Sequence, residues 1–238
     1  MPNPYFQFKR FTVRQDRCAM KVGTDGVLLG AWCGVEEASS ILDIGTGTGL
    51  VALMAAQRSS AEVVAVELDE SAASQAAENV AESPWRERIT VVCASVQDYA
   101  EKAKRKFDHI VSNPPYFQDS LKSPREGRSL ARHTDSLSYE DLVKAVVALL
   151  RPAGRFSVVV PTSEFEDMKR CAASVGLRCS RRTDVLPTPT SASKRVLAEF
   201  TLSEVTEPVA ETLVIEAYGR HQYSEQYISL TKDFYLKM

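Results

Sequence analysis

The chain has 238 residues, of which 44% are hydrophobic and 25% are charged, and its formal net charge is -2. This length and apolar content suit one α/β domain with a full core. So small a net charge argues against a dedicated nucleic-acid-coating protein, although it leaves room for local basic patches.

Cysteine usage and the N-terminus point to a cytoplasmic protein. The five cysteines are odd in number and include no C-x-x-C pair, which argues against a disulfide framework or a zinc knuckle. Their apolar surroundings predict buried thiols in a reducing compartment. No signal-peptide region or run of about 20 apolar residues is present, so no membrane partner is expected. His, Cys and carboxylate residues show no metal-ligand spacing, so no metal is expected.

Two elements are expected before the main fold. Phe6–Val13 alternates imperfectly and predicts a strand or a hairpin. Thr24–Trp32 has apolar residues at helical spacing, with Thr24 or Asp25 as the candidate N-cap. We assign residues 1–39 to this N-terminal segment, which precedes the core sheet.

From residue 40 the chain alternates short β-rich runs with helical stretches, a pattern typical of an α/β fold with a mainly parallel, twisted sheet and helices on both faces. The predicted core strands are Ser40–Ile44, Glu62–Glu67, Ile89–Cys93, Phe107–Ser112 and Arg155–Val160. The predicted helices are Leu50–Arg58, Glu70–Glu82 capped by Asp69, one from Ser138 to near Arg151–Gly154, and one opened by Ser163–Glu166 and reaching Val175.

The C-terminal part predicts the closure of the sheet. Strands are expected near Leu177–Leu186, Arg195–Leu202 and Thr212–Glu216, and the last two suggest an antiparallel hairpin. The segment from His221 to Met238 predicts a helix that folds back. We therefore expect one domain over residues 1–238, with a core sheet in 40–216 and a packed tail in 217–238.

A glycine-rich turn follows the first core strand. Gly45, Gly47 and Gly49 alternate there, and Asp43 precedes them. A dinucleotide fold would use G-x-G-x-x-G with a pyrophosphate at the helix end. The G-x-G-x-G spacing and the preceding acid instead suit a cationic amino-acid ligand, which favours S-adenosylmethionine over NAD. Glu67, 22 residues after Gly45, is placed to bind ribose hydroxyls. The alternative is a tight strand–helix turn with incidental acids.

Asn113-Pro-Pro-Tyr116 leaves the fourth core strand at the sheet edge where ligands bind in open α/β folds. Pro114 and Pro115 have fixed φ and no N–H, so carbonyls here are rigidly aimed acceptors, and Asn113 adds a side-chain oxygen. Two acceptors can hold both hydrogens of an NH₂ group and free its lone pair to attack a methyl sulfonium. Tyr116 can stack on a planar substrate. The motif predicts methyl transfer to an sp² nitrogen, against the alternative of a Pro-rich turn with a buried tyrosine.

The two motifs together resemble the class I, Rossmann-like methyltransferases of the Asn-Pro-Pro-Tyr type, which methylate adenine N6, guanine N2 or a glutamine amide. Other segments resemble one family, the bacterial tRNA1(Val) (adenine(37)-N6)-methyltransferases. These segments are Lys21–Trp32, Ala131–His133, Lys194-Arg195 and Tyr223–Tyr235. The resemblance implies the Rossmann-like class I fold with an antiparallel C-terminal strand, S-adenosylmethionine as cofactor, and N6-methylation of adenine 37 in tRNA1(Val).

The resemblance also implies roles by position. The methionine end of the cofactor would be lined by Asp43, Gly45, Gly47, Gly49 and Asn113, with Gly23, Thr24 and Asp25 closing over it. Plain helix capping is the alternative for Thr24 and Asp25. Glu67, with Leu68 beside it, would hold the ribose. Either Ser95 or Asp98 would hold the adenine, in the place of an aspartate found in related enzymes.

A tRNA substrate requires phosphate and base contacts. Candidates in and near the long loop after the catalytic motif are Tyr116, Phe117, Lys122, Arg125, Arg128, Arg132 and His133. A later set comprises Arg178, Arg181, Arg182, Lys194 and Arg195. The alternative for both sets is a solvated charged surface. No obligate protein partner is indicated.

Three other functions fit the sequence less well. A protein glutamine N5-methyltransferase usually carries an added N-terminal helical domain, whereas 39 residues precede the first core strand here. A DNA adenine methyltransferase needs a recognition domain for duplex sequence. A non-catalytic cofactor-binding or partner-binding module is the alternative from another class, and the intact Asn113–Tyr116 motif argues against it.

Overall fold

The computed structural model describes residues 3–115 and 137–237. Its strands are β1 (Tyr5–Gln7), β2 (Thr12–Arg14), β3 (Ser40–Ile44), β4 (Glu62–Glu67), β5 (Ile89–Cys93), β6 (Phe107–Ser112), β7 (Leu150–Pro161), β8 (Arg178–Leu186), β9 (Arg195–Thr201), β10 (Val209–Val214), β11 (Glu216–Gly219) and β12 (Gln222–Tyr223). Its helices are α1 (Thr24–Trp32), α2 (Leu50–Arg58), α3 (Glu70–Ala81), α4 (Val96–Lys102), α5 (Tyr139–Leu149), α6 (Phe165–Ser174) and α7 (Glu225–Thr231), with a 3-10 turn at Thr162–Glu164. None of these helices is long and apolar enough to cross a membrane.

Eight strands form the central sheet, in the order β10-β8-β9-β7-β6-β3-β4-β5. Neighbours pair in parallel except at β9, which runs antiparallel to both β7 and β8. The expected mainly parallel sheet is confirmed. The predicted hairpin between the last two strands of the sheet is wrong, because β10 pairs in parallel with β8. Burial explains the difference: β9 is buried over most of its length and needs two neighbours, whereas β10 is mostly exposed, as befits an edge strand.

Helices cover both faces of the sheet. Successive residues of a strand point to opposite faces, so Ile41 packs with α1 and α2 while Leu42 packs with α4, α5 and α6. This arrangement is the expected layered α/β fold, and it leaves the carboxyl ends of β3, β4, β5 and β6 at one open edge.

Two predicted helix starts differ in detail. Gly23, in extended conformation, is the N-cap of α1, and neither Thr24 nor Asp25 caps it. The Asp25 carboxylate accepts a hydrogen bond from Arg195 instead. Ser163 lies inside the 3-10 turn, and α6 begins at Phe165 without a side-chain cap.

Three other expectations need correction. Helix α4 was not predicted, because it is short and mostly exposed and so has no apolar periodicity. The tail forms the β11–β12 hairpin before a helix that covers only Glu225–Thr231. Not every cysteine is buried, since Cys93 ends the edge strand β5 and is exposed.

The two ends of the chain are joined. The β1–β2 hairpin, predicted over Phe6–Val13, forms and packs on the tail. Phe8 makes an antiparallel bridge to Tyr235, and their rings stack with centroids 5.9 Å apart. The Lys9 backbone N–H donates to the Phe234 carbonyl at 2.8 Å. The N-terminal segment is therefore held at its outer end by the tail.

Candidate functional site

The loop after β3 has the backbone that its glycines predict. The φ angles of Gly45, Gly47 and Gly49 are 70°, 56° and 83°, in the left-handed region where side chains are strained. A Cβ at Gly45 or Gly47 would meet no protein atom within 4 Å, so the space beside these residues is open. Gly49 is the N-cap of α2, so the loop brings the first N–H groups of that helix to the same place.

A first cavity of about 590 Å³ lies above this loop. Of the predicted cofactor residues, it is lined by Gly23, Asp25, Asp43, Gly45, Gly47, Glu67 and Asn113. Pro115 lines it from the predicted catalytic motif. The structure thus brings together one face of the glycine loop, the start of α1 and the end of β6. Thr24 and Gly49 are not among the described residues that line it.

Asp43 is the buried acid of the first cavity, with 1% of its surface exposed. Its Oδ2 atom accepts hydrogen bonds from Thr46 Oγ1 at 2.5 Å and from the Ala52 backbone N–H at 3.1 Å. Burial raises the pKa of Asp43 to about 7, although these hydrogen bonds partly oppose the rise. A nearby ligand cation would favour the ionised form. The site therefore suits a positively charged group.

Glu67 ends β4 between two cavities. Its Oε2 accepts from the Gly47 backbone N–H at 2.8 Å and its Oε1 from the Asp69 backbone N–H at 3.0 Å. A carboxylate has about four lone-pair sites, so both oxygens retain capacity for hydroxyl donors. Glu67 and Asp69 line the first cavity and also a second cavity of about 990 Å³ along the ends of β4 and β5. The two cavities together suit an elongated ligand.

The lining of the second cavity distinguishes between Ser95 and Asp98, the two residues proposed to hold the cofactor adenine. Leu68, Ser95 and Pro114 line it. Asp98 does not belong to the described lining of either cavity, and it is exposed on the first turn of α4. Its backbone N–H donates to Ser95 Oγ at 3.0 Å, so Ser95 caps that helix. The geometry favours Ser95 over Asp98 as a contact to a ligand in this cavity.

Buried amides hold the N-terminal wall of the first cavity, which consists of residues 17–21. Asn79 of α3, 1% exposed, accepts from the Arg14 N–H at 2.8 Å and donates to the Arg14 and Thr48 carbonyls at 2.9 Å. Gln75, one turn earlier, accepts from the Arg17 N–H at 3.1 Å. Asn79 therefore joins the N-terminal segment to the glycine loop. Neither amide is among the site residues predicted from the sequence.

Asn113 lies against the start of α1. A Cβ on Gly26 would come within 3.8 Å of Asn113 Nδ2 and 3.1 Å of Leu50 Cδ2, so the glycine permits this close approach. One residue earlier, Asp25 accepts a hydrogen bond from Arg195 Nε at 2.8 Å. The predicted RNA residue Arg195 is therefore paired with a predicted cofactor residue. Lys194 is exposed on the turn before β9.

Three of the later arginines are compensated within the protein. Arg178 pairs with Glu204 at 2.7 Å, Arg181 with Glu211 at 3.0 Å and Arg182 with Asp184 at 2.8 Å. A phosphate bound at these arginines would have to compete with their carboxylate partners. The remaining predicted substrate residues lie outside the described residues: Tyr116, Phe117, Lys122, Arg125, Arg128, Arg132 and His133.

His109 takes no part in this site. Its Nε2 lies 2.9 Å from Ser157 Oγ in the interior of the sheet, and burial lowers the pKa of His109 to about 3. It therefore stays neutral and structural at physiological pH. Within residues 3–115 and 137–237, no group of three or more His, Cys, Asp or Glu residues could hold a metal ion.

Comparison with known proteins agrees with this geometry. Residues 26–168 match the family model described as the methyltransferase small domain. The chain is 54% identical to the tRNA1(Val) (adenine(37)-N6)-methyltransferase of Bacteroides fragilis over the full length of both. It is 48% identical to the protein of that name from Trichodesmium erythraeum over 98% of each chain. The chain belongs to the tRNA1(Val) (adenine(37)-N6)-methyltransferase family. Its full-length resemblance to this methyltransferase family is confirmed.

Solved structures of other methyltransferases have a fold similar to that of this methyltransferase. A predicted O-methyltransferase from Agrobacterium tumefaciens superposes with a TM-score of 0.67 at 23% identity, covering 88% of this chain and 96% of the other. A glycopeptide N-methyltransferase complexed with S-adenosylmethionine gives a TM-score of 0.55 at 16% identity, covering 77% of this chain and all of the other. These matches confirm the Rossmann-like class I methyltransferase fold.

Proposed function

We propose that this methyltransferase uses S-adenosylmethionine to methylate N6 of an adenine in tRNA, with adenine 37 of tRNA1(Val) as its target. The observation that carries the proposal is the position of Asn113, which lines the same cavity as Asp43 and Glu67. The tRNA target rests on relatives of that name at 45–54% identity over nearly the whole chain.

The residues present fit this cofactor. Asp43 would hold the cationic amino group, Glu67 the ribose hydroxyls, and Leu68 and Ser95 the adenine, because these residues line adjoining cavities in that order. The positive φ angles of Gly45 and Gly47 and the open space beside them give the ligand close access to the backbone. When bound, S-adenosylmethionine supplies an electrophilic methyl group on a sulfonium.

Asn113 and Pro114 would orient the target amine. The Asn113 side-chain oxygen and the Pro114 carbonyl can accept the two N6 hydrogens, which directs the nitrogen lone pair at the methyl group. Tyr116 would stack on the flipped base. No general base is required before transfer, because the amine becomes acidic only as its bond to carbon forms. The proton then leaves through these acceptors to water.

Asn113→Ala tests this assignment. We expect kcat for methylation of tRNA from a strain lacking the enzyme to fall by about 10²–10³, the loss typical of removing one orienting polar group. The matched control is Asn3→Ala, which changes an exposed asparagine at the N-terminus. Cofactor affinity is measured by calorimetry to separate binding from transfer.

Two results would contradict the proposal. The first is an unchanged rate in Asn113→Ala, which would remove the mechanism. The second is a methyl label that enters protein and not tRNA, which would favour glutamine methylation. Mass spectrometry of the digested tRNA identifies the base, its position and the RNA species.

A further inference from the structure

The hairpin formed by β11 and β12 has no part in the cofactor site. Its strands pair antiparallel, with Glu216 opposite Tyr223 and Gly219 opposite Gln222. The Ser224 N–H donates to the Ile215 carbonyl at 2.9 Å and closes the base of the hairpin before α7 begins. Tyr223 packs against the core at the base of the hairpin, whereas residues 218–222 at its tip are exposed.

The hairpin projects from the same edge of the sheet as the active site. β10 pairs in parallel with β8, and the N–H groups of Ile215 and Glu216 continue this pairing to the carbonyls of Leu186 and Pro187 at 2.9 Å. Since β8 and β6 run in the same direction, their carboxyl ends meet one edge. Four strand spacings of ~4.8 Å put β10 roughly 19 Å from β6 across the sheet.

The tip of the hairpin has a fixed, unusual backbone. His221 has φ 64° and is the one non-glycine residue with positive φ in the described part of the chain. Positive φ is uncommon for such residues. The His221 N–H donates to Glu216 Oε1 at 2.8 Å, which holds the turn. Gly219 (φ 132°) completes it. A stiff tip can present side chains at little entropic cost.

The exposed side chains of the tip suit a nucleic acid. Tyr218 is 71% exposed, more than any other large hydrophobic residue that the structure describes. Arg220 is exposed and forms no ion pair with the described residues, unlike Arg178 and Arg181. The His221 ring lies 4.0 Å from Glu216 Oε1, so one carboxylate is also present. Proteins often bind RNA by stacking a base on an aromatic ring next to an arginine that contacts the backbone.

We propose that this hairpin binds tRNA outside the target nucleotide, with Arg220 on a backbone phosphate and Tyr218 stacked on a base or ribose. The inference rests on the proposed tRNA substrate and adds a second contact surface to it. The exposed Lys194 precedes β9, which lies between the hairpin and Asn113 in the strand order. The site then has a catalytic centre and a docking element on one edge.

Binding of unmodified tRNA by wild type, Arg220→Ala and Tyr218→Ala is measured by fluorescence anisotropy at several salt concentrations, beside steady-state kinetics. We expect each variant to raise the Kd and KM for tRNA about 3–10-fold, with kcat and cofactor affinity unchanged. Arg220→Ala should also reduce the slope of log affinity against log salt by roughly 0.7–0.9, the share of one phosphate contact.

The control is Arg86→Ala, which removes one positive charge from an exposed arginine between α3 and β5, near the amino end of β5; Arg86 pairs there with the exposed Glu87 at 3.2 Å. Variants that bind tRNA as tightly as this control, with the wild-type salt slope, overturn the inference. Failure of the proposed function gives a different result, since wild type would then bind or methylate no tRNA. A tRNA affinity that depends on Arg220 supports the inference whichever nucleotide is methylated.

Discussion

Replacing Asp43 by asparagine separates the charge of this side chain from its hydrogen bonds. The donors, Thr46 Oγ1 and the Ala52 N–H, both bond to the same oxygen, Oδ2. An amide oxygen in that position keeps both bonds. Asp43→Asn therefore removes the charge while leaving the local packing nearly intact, and its effects report on ionisation.

The buried charge of Asp43 destabilises the cofactor-free protein. Because burial raises the pKa of Asp43 from 3.8 to about 7, ionising it in the folded state costs roughly 4 kcal/mol more than in an exposed aspartate. Between about pH 4 and pH 7 the unfolded chain binds fewer protons than the folded one. The stability contributed by this group is therefore present at low pH and lost as the pH rises to about 7.

We expect Asp43→Asn to be more stable than wild type at pH 8 by up to roughly 4 kcal/mol, and the difference to vanish near pH 4. Thermal unfolding followed by circular dichroism without cofactor measures this. Cofactor binding should behave in the opposite way. Below about pH 7, wild type should bind S-adenosylmethionine about tenfold more weakly per pH unit, because Asp43 must first lose its proton. In calorimetric titrations, Asp43→Asn should bind S-adenosylmethionine weakly, and its affinity should not change with pH in this way.

If Asp43→Asn is less stable than wild type at pH 8 in the absence of cofactor, the buried charge of Asp43 does not destabilise the fold. If the variant keeps the wild-type pH dependence of cofactor affinity, another group and not Asp43 holds the ligand cation.

Gly47→Ala and Asn79→Ala test the walls of the first cavity, with Gly176→Ala as a control for the glycine. Gly47→Ala and Gly176→Ala both place a Cβ at positive φ with no protein atom within 4 Å, so each variant should lose about 1–2 kcal/mol of stability. In calorimetry only Gly47→Ala should also lose cofactor affinity, by about tenfold or more, and equal affinities would show that no ligand approaches this loop. Asn79→Ala leaves the N–H and carbonyl of Arg14 and the carbonyl of Thr48 without a partner and should cost about 2–4 kcal/mol. Hydrogen exchange should show lost protection in residues 14–22, and a purely global loss would contradict the coupling.

The central fold could be predicted because local signals and tertiary burial agree there. β3, α2 and β4 are bounded as predicted, since each apolar run ends at a glycine or a polar residue that also ends the element. The pairing of β9 and β10 could not be predicted from alternation alone. Which strand lies inside the sheet depends on how many neighbours it gains, and only the assembled fold determines that number.

The candidate site was proposed where chemistry leaves a motif. A glycine turn, a strand end and a proline pair mark Asp43, Glu67 and Asn113 in the sequence, and the structure places all three around one cavity. Gln75 and Asn79 were missed because amides on a helix usually face water. Their i, i+4 spacing beside the buried alanines of α3 was the available signal.

The contact between the N-terminal hairpin and the tail makes these two segments depend on each other. Lys9 Nζ donates to the Lys232 carbonyl, a contact between residues 223 positions apart. Contacts between residues so far apart in sequence are costly in loop-closure entropy, so a folding chain forms them late. Until this contact forms, the β1–β2 hairpin lacks its packing against Phe234 and Tyr235. A two-stranded hairpin alone is only marginally stable in water, so this part of the fold depends on the tail for its order.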